Sequence, residues 1–82
     1  MLYFELAHMN EMTAAQFKKK LGNRILVLRT KIGLTQEQVA HRMNKDKQFI
    51  NRYEVTGANP TAHILKKLAK ALEVSVDELL EV

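Results

Sequence analysis

An all-α domain of five short helices is predicted by three features of this 82-residue sequence. Helix-start residues recur at Thr13, Thr35, Asp46, Thr61 and Ser75, each with a side-chain oxygen able to accept from the free amides of a first turn. Apolar residues follow each of them at steps of three and four. No stretch makes a convincing strand.

Composition supports one domain. Hydrophobic residues make up 46% of the chain, enough for a modest core at this length. There is no cysteine, hence no disulfide framework and no thiolate metal site, which fits a reducing cytoplasm. No segment approaches the roughly 20 apolar residues of a membrane span. The N-terminus lacks the basic start and long apolar run of a signal peptide. Net charge is +4, and the basic residues crowd between Lys18 and Arg52, where Glu37 and Asp46 are the only acids. The C-terminal end reverses sign with Asp77, Glu78 and Glu81. Such a half suits a polyanionic partner, or else is a solvated, solubilising face.

Taken in order, residues 1–12 read as an N-terminal arm. Leu2, Tyr3, Phe4 and Leu6 are too short a cluster for a helix and suit a β-like arm, a dimer contact, a partner-binding segment or a frayed end. His8-Met9 also resembles a cloning scar, with Met9 or Met12 as alternative starts.

The domain proper is expected over 13–82. Thr13 and Gln16 form a capping box, after which Phe17, Leu21, Ile25, Leu28 and Ile32 line one helix face. Gly22 interrupts that helix at about 1 kcal/mol relative to alanine, and Gly33 sits where a C-terminal cap belongs. The Lys18–Lys20 run reads most simply as a solvated face, with phosphate contact as the alternative. A second capping box, Thr35 and Gln38, opens a helix with Val39, Ala40 and Met43 inward. Asn44 tolerates the left-handed backbone of a sharp turn, and Asp46 caps the next helix.

In that third helix, over 47–54, Ile50 and Tyr53 should face the core. Gln48, Asn51 and Arg52 share the opposite side, with Lys47 at its edge. Phe49 lies between the faces and reads as a packing residue before a DNA contact. Gly57, Asn59 and Pro60 mark a loop. Thr61 then opens a helix with Ile64, Leu65, Leu68, Ala69 and Leu72 inward. Ser75 and Glu78 cap a last one with Val76, Leu79 and Leu80 inward.

The ordered set Leu34-Thr35-Gln36-Glu37-Gln38-Val39-Ala40, Ile50-x-Arg52-Tyr53-Glu54, Pro60, Leu65-Lys66-Lys67-Leu68-Ala69-Lys70-Ala71-Leu72 and Val74-Ser75-Val76-Asp77-Glu78-Leu79-Leu80 resembles the phage-repressor and Cro type of helix-turn-helix domain, the XRE-like family. The resemblance covers roughly residues 21 to 80. It implies a compact, lambda-repressor-like five-helix fold and a sequence-specific DNA-binding transcriptional regulator, a repressor by type. It further implies that Gln36 touches a phosphate and helps orient the recognition helix, and that Lys47, Gln48, Asn51 and Arg52 reach base edges or backbone. Arg29 and Glu54 match a structural ion pair. Three positions depart from the family pattern: Lys45 at a usually hydrophobic turn position, Glu73 for the common glycine after the fourth helix, and Thr56-Gly57 where the glycine comes one residue earlier.

The chemistry expected of such a site is hydrogen bonding. Arg52 or Lys47 would pair with guanine and Gln48 or Asn51 with adenine, while surrounding lysines such as Lys45 hold phosphates. One small domain reads few base pairs, so a homodimer on a two-fold operator is expected, with half-sites about one DNA turn apart. The rival is the antitoxin of a toxin–antitoxin pair, binding a toxin protein as well as its operator, with Tyr3 and Phe4 as the supporting feature. An enzyme is not expected: His8, His41 and His63 have no metal-ligand spacing, and neither a cysteine nucleophile nor a glycine-rich phosphate loop occurs. No cofactor or metal is called for.

Overall fold

The computed structural model describes residues 12–81. The expected arm over 1–12 falls outside the described residues except for Met12. Among the described residues the elements are five α-helices and no strand: α1 Ala14–Lys31, α2 Gln36–Arg42, α3 Lys47–Asn51, α4 Ala62–Ala71 and α5 Val76–Leu79. A π-helical turn, Arg52–Thr56, continues directly from α3.

The helix starts follow from the caps. The Thr13 hydroxyl accepts from the Gln16 amide at 3.1 Å, and the Gln16 side chain accepts from the Thr13 amide at 2.9 Å. The same reciprocal pairs form between Thr35 and Gln38 and between Ser75 and Glu78. Asp46 accepts from the Phe49 amide, and Thr61 from that of Ile64. Each cap is typically worth about 1 kcal/mol.

Three helix ends share one device. The amides of Leu34, Lys45 and Val74 reach back to the carbonyls of Arg29, Ala40 and Ala69 at 2.8, 2.9 and 3.0 Å. Each closure needs a left-handed residue just before it. Those residues are Gly33 (φ 77°), Asn44 (φ 57°) and Glu73 (φ 62°). Glu73 therefore holds the glycine-like geometry with a side chain attached. Its carboxylate accepts from Arg42 at 2.8 Å, and the same guanidinium donates to the Ala71 carbonyl at 2.9 Å.

The core joins Leu21, Ile25 and Leu28 of α1 to Val39 and Ala40 of α2, Ile50 of α3, Tyr53 of the π turn, Leu68 of α4, Leu72 at its C-terminal cap, and Leu79 of α5. Burying each large aliphatic side chain contributes about 1.5–3 kcal/mol. One expected core residue is displaced: Ile32 is 38% exposed, because α1 ends at Lys31 and the chain turns away before the four-residue repeat can bring Ile32 inward.

The third helix also differs from the expected 47–54. Its α-helical part ends at Asn51, and the Gly57 amide then bonds to the Arg52 carbonyl at 2.8 Å, a span of five residues. A π turn holds one residue more than an α turn. The glycine that ends it, at φ 87°, accordingly falls at 57, one place later than the family pattern. This turn packs against α1. A Cβ added to Gly22 would overlap the Tyr53 carbonyl oxygen, so the glycine that weakens α1 permits backbone-to-backbone contact there.

Candidate nucleic-acid interface

The proposed contact face begins at the α2 N-terminus and runs along α3. Ile50 is fully buried and Tyr53 nearly so, which turns Lys47, Gln48 and Arg52 outward, where all three are exposed. Asn51 and Gln36 are half-buried between the two helices.

A chain of polar contacts fixes the angle between these helices. Arg29 donates to both oxygens of Glu54, at 2.6 and 3.0 Å, and to the Leu34 carbonyl at 3.0 Å. Gln36 donates to Glu54 at 2.9 Å, and its own side-chain oxygen accepts from Asn51 at 3.4 Å. The paired side chains of Arg29 and Glu54 are only 14% and 4% exposed. A lone charge there would be expensive to desolvate; the Glu54 carboxylate is answered by the Arg29 fork and the Gln36 amide, and the guanidinium by that carboxylate and the Leu34 carbonyl. The hydrogen bond that Arg29 donates to Glu54, ahead of the opposing effect of burial, holds Arg29 above the ordinary arginine range.

Of the expected site residues, Gln36, Asn51, Glu54 and Arg29 thus meet in one network. Lys47 joins them at the surface, lining a shallow depression with Arg29, Thr35 and Gln36. Gln48 and Arg52 stand free of that network on the outer side. Lys45 lies apart: its ammonium sits 5.2 Å from the centre of the Phe49 ring, a cation–π distance. Phe49 is itself half-buried against the core, its ring 5.3 Å from that of Tyr53 and tilted by 58°. Its packing reading thereby has a partner, and the polar Lys45 has a seat at a position where the family prefers an apolar residue.

The Asn51–Gln36 bond spans 15 positions, beyond the reach of any local sequence pattern. Two amide side chains at that spacing carry no local signal, and only the crossing of α2 and α3 brings them together. Asn51 keeps a carbonyl oxygen and a second N–H, which is the acceptor–donor pair an adenine edge requires.

Comparisons with known proteins identify the family to which this fold belongs. A family model described as helix-turn-helix matches residues 25–79. The HTH-type transcriptional regulator y4dJ of Sinorhizobium fredii, itself described as uncharacterized, is 40% identical over 62 residues, covering 76% of this chain and 80% of that protein. Among solved structures, the restriction-modification controller protein C.AhdI of Aeromonas hydrophila is 34% identical with a TM-score of 0.71, covering 76% of this chain and 90% of its own. A hypothetical transcription factor, NHTF from Neisseria, shares the fold at 24% identity and a TM-score of 0.74, over 83% of this chain and 78% of its own. With a family match over most of its length, the chain belongs to the phage-repressor and Cro type of helix-turn-helix family, the DNA-binding transcription regulators.

Proposed function

We propose that this regulator reads the major groove of double-stranded operator DNA with α3 and its continuing turn, residues 47–54, and acts as a homodimeric repressor. The observation that carries the proposal is the outward row of Lys47, Gln48 and Arg52 on a short helix braced from behind by Arg29, Glu54, Gln36 and Asn51. A bidentate pair from such a side chain to a base contributes about 1–3 kcal/mol of discrimination. Bracing matters because a helix already held in its reading orientation loses less freedom on binding.

Lys45 contributes charge without base readout, its ammonium lying over the Phe49 ring. Gln36 contributes a phosphate contact through the free N–H of its amide and the backbone amides of the first α2 turn. Two-fold operators with half-sites about one helical turn apart fit a domain this small. The work is done by hydrogen bonding in the cytoplasm, with no bond broken and no cofactor. The antitoxin alternative rests on Tyr3 and Phe4, which lie outside the described residues, and no contact in the domain favours it.

Selection of bound duplexes from a random-sequence pool tests the proposal, with affinity then measured at two salt concentrations. A two-fold enriched sequence and a steep salt dependence are expected. A pool left unenriched would overturn sequence-specific reading by this helix.

A further inference from the structure

We infer that Lys18 and Lys19, in the second turn of α1, form an additional DNA-backbone contact at the C-terminal end of the recognition helix. The inference rests on the proposed groove reading by residues 47–54. It concerns residues outside the segment matched by the family model, which begins at residue 25.

The Lys18–Lys20 run does not present one uniform face. Lys18 and Lys19 line a groove whose other wall is the π turn, with Val55, Thr56 and Gly57. Lys20 belongs to a different depression, with Asn23, Arg24, Val27 and Glu81. Lys18 is half-buried, and its stem lies on the loop: a Cβ built on Gly57 would be 3.1 Å from Lys18 Cβ and 3.8 Å from its Cδ. A purely solvating lysine keeps its stem free; this one has its apolar stem packed and only its charged end to place. Glu54 borders the same groove, but its carboxylate is already held by Arg29 and Gln36.

The position along the helix gives the ammonium groups their partner. Lys45 precedes the recognition helix, while Lys18 and Lys19 flank the turn that ends it. From residue 47 to residue 56 the chain rises roughly 13 Å at helical spacing. A B-DNA major groove is about 12 Å wide between its phosphate walls. Cations at both ends of a helix of that length match one wall each. The thinness of the Gly57 backbone, which lets Lys18 lie close, and the exposed Thr56 hydroxyl add to the same edge.

The test uses the full chain and the duplex enriched from the random pool, with an unrelated duplex beside it. Lys18→Ala/Lys19→Ala is expected to lower the magnitude of the salt slope by about two, at ~0.9 per phosphate contact, on both duplexes. Base preference should be retained. Lys20→Ala should leave the slope as in the unsubstituted chain, and Lys18→Arg/Lys19→Arg should restore it. An unchanged slope in the double alanine variant, or an equal fall with Lys20→Ala, would overturn the inference while leaving groove reading intact. If the unsubstituted chain binds neither duplex, groove reading fails and this contact fails with it.

Discussion

Arg29 grips both carboxylate oxygens of Glu54 from 25 positions away in the chain, joining the long first helix to the turn that ends the recognition helix. Glu54 is almost wholly screened from water. Removing Arg29 strands that charge, so Arg29→Ala should cost about 3–5 kcal/mol in urea unfolding. Arg29→Met with Glu54→Leu should cost less than either single change, because no charge is then left buried. Equal losses in all three variants would argue against the pair as the cause.

Gly22 lies in a helix where alanine is ordinarily better by about 1 kcal/mol. Here a Cβ would collide with the Tyr53 carbonyl. Gly22→Ala should therefore destabilise, by about 1–3 kcal/mol as for other overpacked sites. A rise in the urea midpoint would show that α1 and the turn can separate freely.

Glu73 gives the opposite sign. Its left-handed backbone costs a non-glycine residue roughly 1–2 kcal/mol, while its ion pair with Arg42 is well exposed, 41% and 59%, and worth about 0–1 kcal/mol. Glu73→Gly should be neutral to stabilising by about 1 kcal/mol in thermal or urea unfolding. A clear loss would mean that Arg42 depends on Glu73 to reach the Ala71 carbonyl.

Burial, opposed by the neighbouring Arg52 charge, raises the Tyr53 hydroxyl above its ordinary value of 10.0. The fold thus favours the neutral phenol. Its contribution is complete below the unfolded value and is lost as pH climbs through the raised folded one. Stability should fall on the alkaline side above pH 10, and Tyr53→Phe should make that fall shallower, as followed by urea midpoints across the range. An identical alkaline limb in the variant would remove Tyr53 as its source.

Base readout separates the exposed polar residues. Arg52→Ala and Gln48→Ala should each relax preference at particular operator positions by about 1–3 kcal/mol, whereas Lys45→Ala should weaken every duplex alike. Binding to operators carrying single base changes distinguishes the two patterns. Uniform losses from all three would detach specificity from this helix.

What was legible in the sequence was local. Thr13, Thr35, Asp46, Thr61 and Ser75 announce their helices because a cap and its first-turn amide are three residues apart. The Arg29–Glu54 match came through the family resemblance, since periodicity says nothing about a partner 25 residues away. Ile32 lies outside the core because the apolar repeat in the sequence continues past the residue at which the helix stops. The π turn, the Gly22–Tyr53 contact and the Asn51–Gln36 bond depend on how helices cross, and no spacing rule within one segment encodes that.

The contact between Gly22 and the turn has a consequence for how such a regulator can diversify. Because two backbones touch there, part of the seat of the recognition helix is set by main chain, beside the side-chain network of Arg29, Glu54, Gln36 and Asn51. Lys47, Gln48 and Arg52, by contrast, contribute nothing to the core. Under the proposed groove reading, replacing those outward residues would change the operator while the frame that aims them stays the same.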